Sequence, residues 1–154
     1  MRQKRYSPPH NEGLIFLWQH KDCQAVLSQL YQYSCALIEE TSDYIHNRNK
    51  DLVKTLPPEA TLLYTQEILL LNTRLMHVVS WLLLGQAAFN GEMTSQQIVA
   101  EEQKISLTTP SHYSTHPQRA HLPQEFQRLI ECSLQLEGRV RLLAQREIPS
   151  HAPN

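Results

Sequence analysis

An all-α fold, a three-helix bundle of long antiparallel helices plus one short helix, is predicted by three features of the sequence. The chain of 154 residues holds only 4 glycines and has few aromatics, while Leu, Gln and Glu are plentiful, a composition of good helix formers. Three long segments place apolar residues at the helical period of 3.6. One of them, residues 62–89, is apolar on more sides than a single neighbour would cover, so it is expected to be the central helix. The excess apolar surface further predicts a bundle that dimerises.

Residues 1–20 hold Pro8, Pro9 and Gly13 around the apolar patch 14–18 and are read as a loose arm. The bundle domain is assigned to 21–145 and a disordered tail to 146–154, where prolines recur without apolar period. A first helix is predicted over about 22–47, with Val26, Leu27, Leu30, Tyr31, Tyr33, Leu37, Ile38, Tyr44 and Ile45 on one face. Pro57 and Pro58 open the central helix, because the N–H that proline lacks has no partner in a first turn, and Asn90-Gly91 stop it. Tyr64, Ile68, Leu71, Leu75, Val78, Val79, Leu82 and Phe89 form its broad buried face, widened by Leu69, Met76, Leu83 and Ala87. A short helix starts at Thr94 with Gln97 completing a capping box and runs to about Ile105. Residues 107–122, with two prolines and three histidines, are read as a loop. The last helix opens at Leu122-Pro123 and runs to about Gln145, with Phe126, Leu129, Ile130, Ser133, Leu136, Val140 and Leu143 inward.

A formal net charge of −1 with both signs mixed gives no field to attract nucleic acid. Asn72, Arg74 and His77 interrupt the apolar run 68–84, which therefore reads as protein core and not a membrane span. No signal peptide is read in the basic start. Cys23, Cys35 and Cys132, odd in number and far apart, fit reduced thiols in the cytoplasm.

A second apolar seam runs along the central helix. Leu63, Leu70, His77 and Leu84 recur every seven residues, Trp81 and Ala88 interleave with them, and Glu67 and Arg74 are read as a polar rim. Two coverings compete: the chain's own patch 14–18, or a second polypeptide. The dimer or partner interface is assigned to Leu63, Leu70, Arg74, His77, Trp81, Leu84 and Ala88. Asn72, placed among Val79 and Leu83, is expected to be a buried, hydrogen-bonded amide.

Chemistry is sparse. His112, His116 and His121 with Cys132 would make a zinc site only if a proline-broken loop gathered them, and no Cys-x2-Cys pair assists. No nucleophile, phosphate loop or carboxylate pair accompanies Glu67, Arg74 and His77, so no catalytic residue, cofactor or metal is assigned. A metal-dependent sensor or small enzyme built on the histidine loop is the rival reading, and a helical scaffold unconnected with proteolysis is a third.

The run Asn72-Thr-Arg-Leu-Met-His-Val-Val-Ser-Trp-Leu-Leu-Leu-Gly-Gln-Ala-Ala-Phe-Asn-Gly-Glu-Met-Thr94 resembles the helix-two signature of the bacterial regulator of CtrA degradation (RcdA) family. Residues 101–107, the Leu122-Pro123-x-x-Phe126 entry and the run 133–143 with Arg139-Val140-Arg141 agree with it in order. The resemblance implies a dimerising three-helix bundle without catalytic activity. It further implies an adaptor that helps deliver cell-cycle regulators such as CtrA to the ClpXP protease, alongside CpdR-like and PopA-like partners.

Overall fold

The computed structural model describes residues 17–145, and the predicted arm up to residue 16 and tail 146–154 lie outside them. The described residues are all-α. Helix α1 (Lys21–Asp43) runs on through a π-helical turn at Tyr44–Arg48 into the short α2 (Lys50–Val53). Then come α3 (Pro58–Phe89), α4 (Ser95–Glu102), a 3-10 turn at Arg119–His121 and α5 (Gln124–Ala144).

The helix ends follow from local chemistry. Pro58 stands in the first turn of α3, where its fixed φ suits the helix and its missing donor costs nothing. At the other end the N–H of Gly91 donates to Ala88 O and that of Glu92 to Ala87 O, with Gly91 at φ 71°, the left-handed conformation glycine takes without a Cβ clash. Thr94 Oγ1 accepts from the N–H of Gln97 while Gln97 Oε1 accepts from the N–H of Thr94, a complete capping box at the start of α4.

Side-chain pairs fix the helix directions. Trp18, just before α1, lies on Gly85 near the end of α3, and Asn49 beyond the other end of α1 donates to Tyr64 Oη. Between α5 and α1 with its π-helical continuation, Tyr44 stacks on Phe126 at 5.8 Å and Arg128 pairs with Glu40. Hence α1 is antiparallel to both α3 and α5. Those two run the same way: Tyr64 meets Phe126 at 4.6 Å, and Arg74, ten residues on, reaches Ser133 and Glu137. Two parallel neighbours demand a connection that travels back along the bundle. Residues 103–123 supply it, from Ser106 at the level of His77 to Gln118 at the level of Glu59.

The core lies between the three long helices, with Leu27, Leu37, Leu71, Leu75, Val78, Phe126, Leu129, Ile130 and Val140 buried. Helix α3 touches both α1 and α5. It is long and apolar enough to cross a membrane by length and composition, and here it is the central helix of the bundle. Val26, Tyr33 and Phe89, expected on inward faces, are exposed at 40–43%; Phe89 is the last residue of α3, where the bundle ends.

Candidate functional site

Helix α3 presents two contrasting features, a buried charged row facing α5 and an exposed apolar row on the far side. Glu67 and Arg74 both have a relative exposure of 0%, which corrects their reading as a polar rim. They are two turns apart on one face and meet the returning strap 107–113. Glu67 Oε1 accepts from the N–H of His112 at 2.7 Å, and Oε2 accepts from Ser111 Oγ at 3.0 Å. Arg74 Nη1 donates to Ser133 Oγ at 2.8 Å and Nη2 to Pro110 O at 3.1 Å, while its Nε stands 3.9 Å from Glu137 Oε1. Glu137, also buried, accepts from the N–H of Thr109 at 3.0 Å, and Arg141 donates to Leu107 O at 2.8 Å.

Burial lowers the pKa of the Arg74 guanidinium, and the carboxylates of Glu137 and Glu67 work against that. Guanidinium is the cation best suited to such a position, being weakly hydrated and holding its donors in a rigid fork. The row is therefore an ionic clamp on backbone groups of the strap. Sequence reading assigned no partners to Glu67 and Arg74 because they come from the strap and from α5. The available signal was Ser133, a hydroxyl on the apolar face of α5, with Glu137 one turn beyond it.

The predicted interface residues divide. Leu63, Arg74, Trp81, Leu84 and Ala88 are buried within the protomer, while Leu70 and His77 are half-buried. Trp18 covers the Trp81 end: its indole lies on Gly85, four residues after Trp81 and three before Ala88, so the chain's own Trp18 provides covering there. His77 uses Nδ1 to accept the N–H of Ser106 at 3.0 Å, holding the start of the strap.

The apolar row left open lies one residue earlier in the heptad. Leu62, Leu69, Met76 and Leu83 are 61, 64, 59 and 43% exposed. Leu69, Met76 and Leu83 thus belong to the outer face and not to the widened inner one. Their heptad spacing is that of a seam that pairs with another helix. Beside the row, between α3 and α4, is an open groove of about 820 Å³ lined by Met76, Leu83, Met93, Ile105 and Lys104 among others. Asn72 lines that groove and is exposed, not buried among apolar neighbours as expected, because α4 covers the next part of α3 and leaves this turn open.

The histidine loop is pulled apart by the strap's course. His112 spends its backbone N–H on Glu67, His116 Nδ1 accepts the N–H of Gln118 at 3.1 Å, and His121 ends the 3-10 turn. Among the described residues no three His, Cys, Asp or Glu side chains converge as a metal site would require. Cys23, Cys35 and Cys132 are unpaired and partly buried.

Fold and surface together define a small all-helical bundle protein whose distinguishing outer feature is an apolar helix face. The family model described as "Protein of unknown function (DUF1465)" matches residues 19–154, and the chain belongs to this family, the RcdA family. Among solved structures it is similar to the crystal structure of RcdA from Caulobacter crescentus CB15, with 32% identity over 78% of this chain and 88% of that one and a TM-score of 0.61. No curated protein matches the chain.

Proposed function

We propose that this protein is a non-catalytic cytoplasmic regulator of CtrA degradation, an adaptor that helps deliver CtrA-like cell-cycle regulators to the ClpXP protease. In this reading it acts with CpdR-like and PopA-like proteins and self-associates. The observation that carries it is the 32% identity with RcdA over most of both chains. The exposed row Leu62, Leu69, Met76 and Leu83 gives the reading a physical basis, since contiguous exposed apolar surface marks sites of protein association. The half-buried Leu70 and His77 flank the row and belong to the same proposed docking face.

The test is reconstituted proteolysis. A CtrA-like substrate is incubated with ClpXP and the CpdR-like and PopA-like proteins, with or without this chain. Faster loss of substrate with the wild type, and not with a Leu69→Glu/Met76→Glu variant that keeps its helical fold, supports the reading. Equal rates with and without the chain overturn it.

A further inference from the structure

We propose that the groove between α3 and α5 is a peptide site that reads main-chain groups, that strap residues 107–113 occupy it in cis, and that the strap leaves it without the bundle unfolding. An extended segment of another polypeptide with the same order of donors and acceptors then takes its place. The inference goes beyond the adaptor reading and stands on the clamp geometry alone.

Four backbone groups of the strap are held by ionic side chains of the helices: Leu107 O by Arg141, the N–H of Thr109 by Glu137, Pro110 O by Arg74 and the N–H of His112 by Glu67. Charged groups bonding backbone donors and acceptors recognise an extended chain whatever its side chains, as sheet edges do when they bind peptides. The bound segment lies in a connection, residues 103–118, without helix or strand, and structureless connections longer than about 12–15 residues inside a compact domain are usually functional.

The strap's fit is incomplete. Arg74 Nε is buried in the clamp without a hydrogen-bond partner, so a competing segment that places an acceptor there gains over the resident one. Attachment is mainly polar: of residues 107–113 Thr109 and Tyr113 are buried, and Leu107 packs half-buried against the core. Segments fixed chiefly by polar contacts at the rim of a core open below the free energy of global unfolding, because water replaces those contacts on opening. The occupant that fits is an extended segment that presents the main-chain donors and acceptors of residues 107–112 in the same order and a hydroxyl at the Ser111 position, which donates to Glu67.

Two measurements on the full chain test this. In native-state hydrogen exchange the amides of Thr109 and His112 are expected to exchange at least tenfold faster than those of Leu71 and Leu75 in α3. Equal exchange, with all four following global unfolding, overturns release of the strap. In the second, a fluorescent peptide of residues 105–116 is titrated with wild type and with a Ser111→Ala chain, whose strap has lost one of its two bonds to Glu67. The peptide is expected to bind the Ser111→Ala chain at least fivefold more tightly than wild type. The same peptide N-methylated at the His112 nitrogen, which removes one donor and leaves the protein untouched, is expected to bind at least tenfold more weakly. Absence of binding to both chains, or equal binding of the N-methylated peptide, overturns the site. Reconstituted proteolysis is read separately, so loss of peptide binding with proteolysis intact sinks this inference and spares the adaptor reading.

Discussion

The Trp18 indole lies so close over Gly85 that a Cβ placed on Gly85 would stand 2.0 Å from Trp18 Nε1. Only a residue without a side chain permits this approach within a helix, where glycine otherwise costs about 1 kcal/mol relative to alanine. Gly85→Ala is therefore expected to destabilise the wild-type protein by about 1–3 kcal/mol through overpacking. In a Trp18→Ala background the same substitution is expected to stabilise by up to about 1 kcal/mol, as helix propensity alone would have it. The change of sign across this double-mutant cycle, read by urea unfolding, is the check, and equal effects in both backgrounds would remove Trp18 from its place.

Two rows on α3 are expected to separate folding from the proposed association. Trp81 is 3% exposed within one protomer, so Trp81→Ala is expected to cost about 3–5 kcal/mol. That loss should be the same at any protein concentration, because the packing is internal. Leu69→Glu with Met76→Glu alters surface positions and is expected to move the protomer's stability by no more than about 0.5 kcal/mol per site. Their effect should appear instead as loss of the concentration-dependent part of the melting temperature and of any faster-sedimenting species. Concentration dependence that vanishes with Trp81→Ala but survives the double glutamate variant would reverse the assignment.

Arg74 holds Ser133, Pro110 and the Glu137 carboxylate together in a buried space. Arg74→Ala is expected to destabilise by about 3–5 kcal/mol, since it leaves Glu137 without its buried cation and Pro110 O without a donor. Arg74→Lys should recover only part of this, because one ammonium on a flexible stem does not span the groups the guanidinium fork reaches. Urea midpoints of the three proteins decide it; full recovery by lysine would mean that charge, not geometry, is what the position requires.

Helix existence was legible in this sequence because local chemistry and periodicity agree on it. Pro58, Asn90-Gly91 and the Thr94/Gln97 box mark ends that the structure places where they fall. What periodicity does not carry is which of several apolar arcs on α3 meets which neighbour. The row at 63, 70, 77 and 84 and the row at 62, 69, 76 and 83 differ by one residue, or 100° of helix turn, and both are rich in leucine. Trp18 covers the Gly85 end of the first row, and no described element covers the second. The clamp was hidden for a related reason: Glu67 and Arg74 find their partners 36 to 59 residues away, a distance at which a single sequence holds no register.

Alkaline pH should weaken the bundle at its tyrosines. Burial raises the pKa of Tyr44, with the neighbouring Tyr64 and Glu125 adding to it, and burial likewise raises Tyr64 and Tyr113, the last with help from a hydrogen bond to Glu131. The model-compound value is 10.0, so above that pH the unfolded chain loses phenolic protons that the folded one retains. Fewer protons are then bound in the unfolded state, and the free energy of unfolding falls as pH rises. The contribution is fully present below about pH 10 and declines above it by at most about 1.4 kcal/mol per pH unit for each tyrosine. Tyr44→Phe keeps the ring stacked on Phe126 and removes the titrating group, so urea midpoints between about pH 8 and 11 should decline less steeply in the variant than in wild type. Parallel decline in the two proteins would show that the alkaline loss arises elsewhere in the chain.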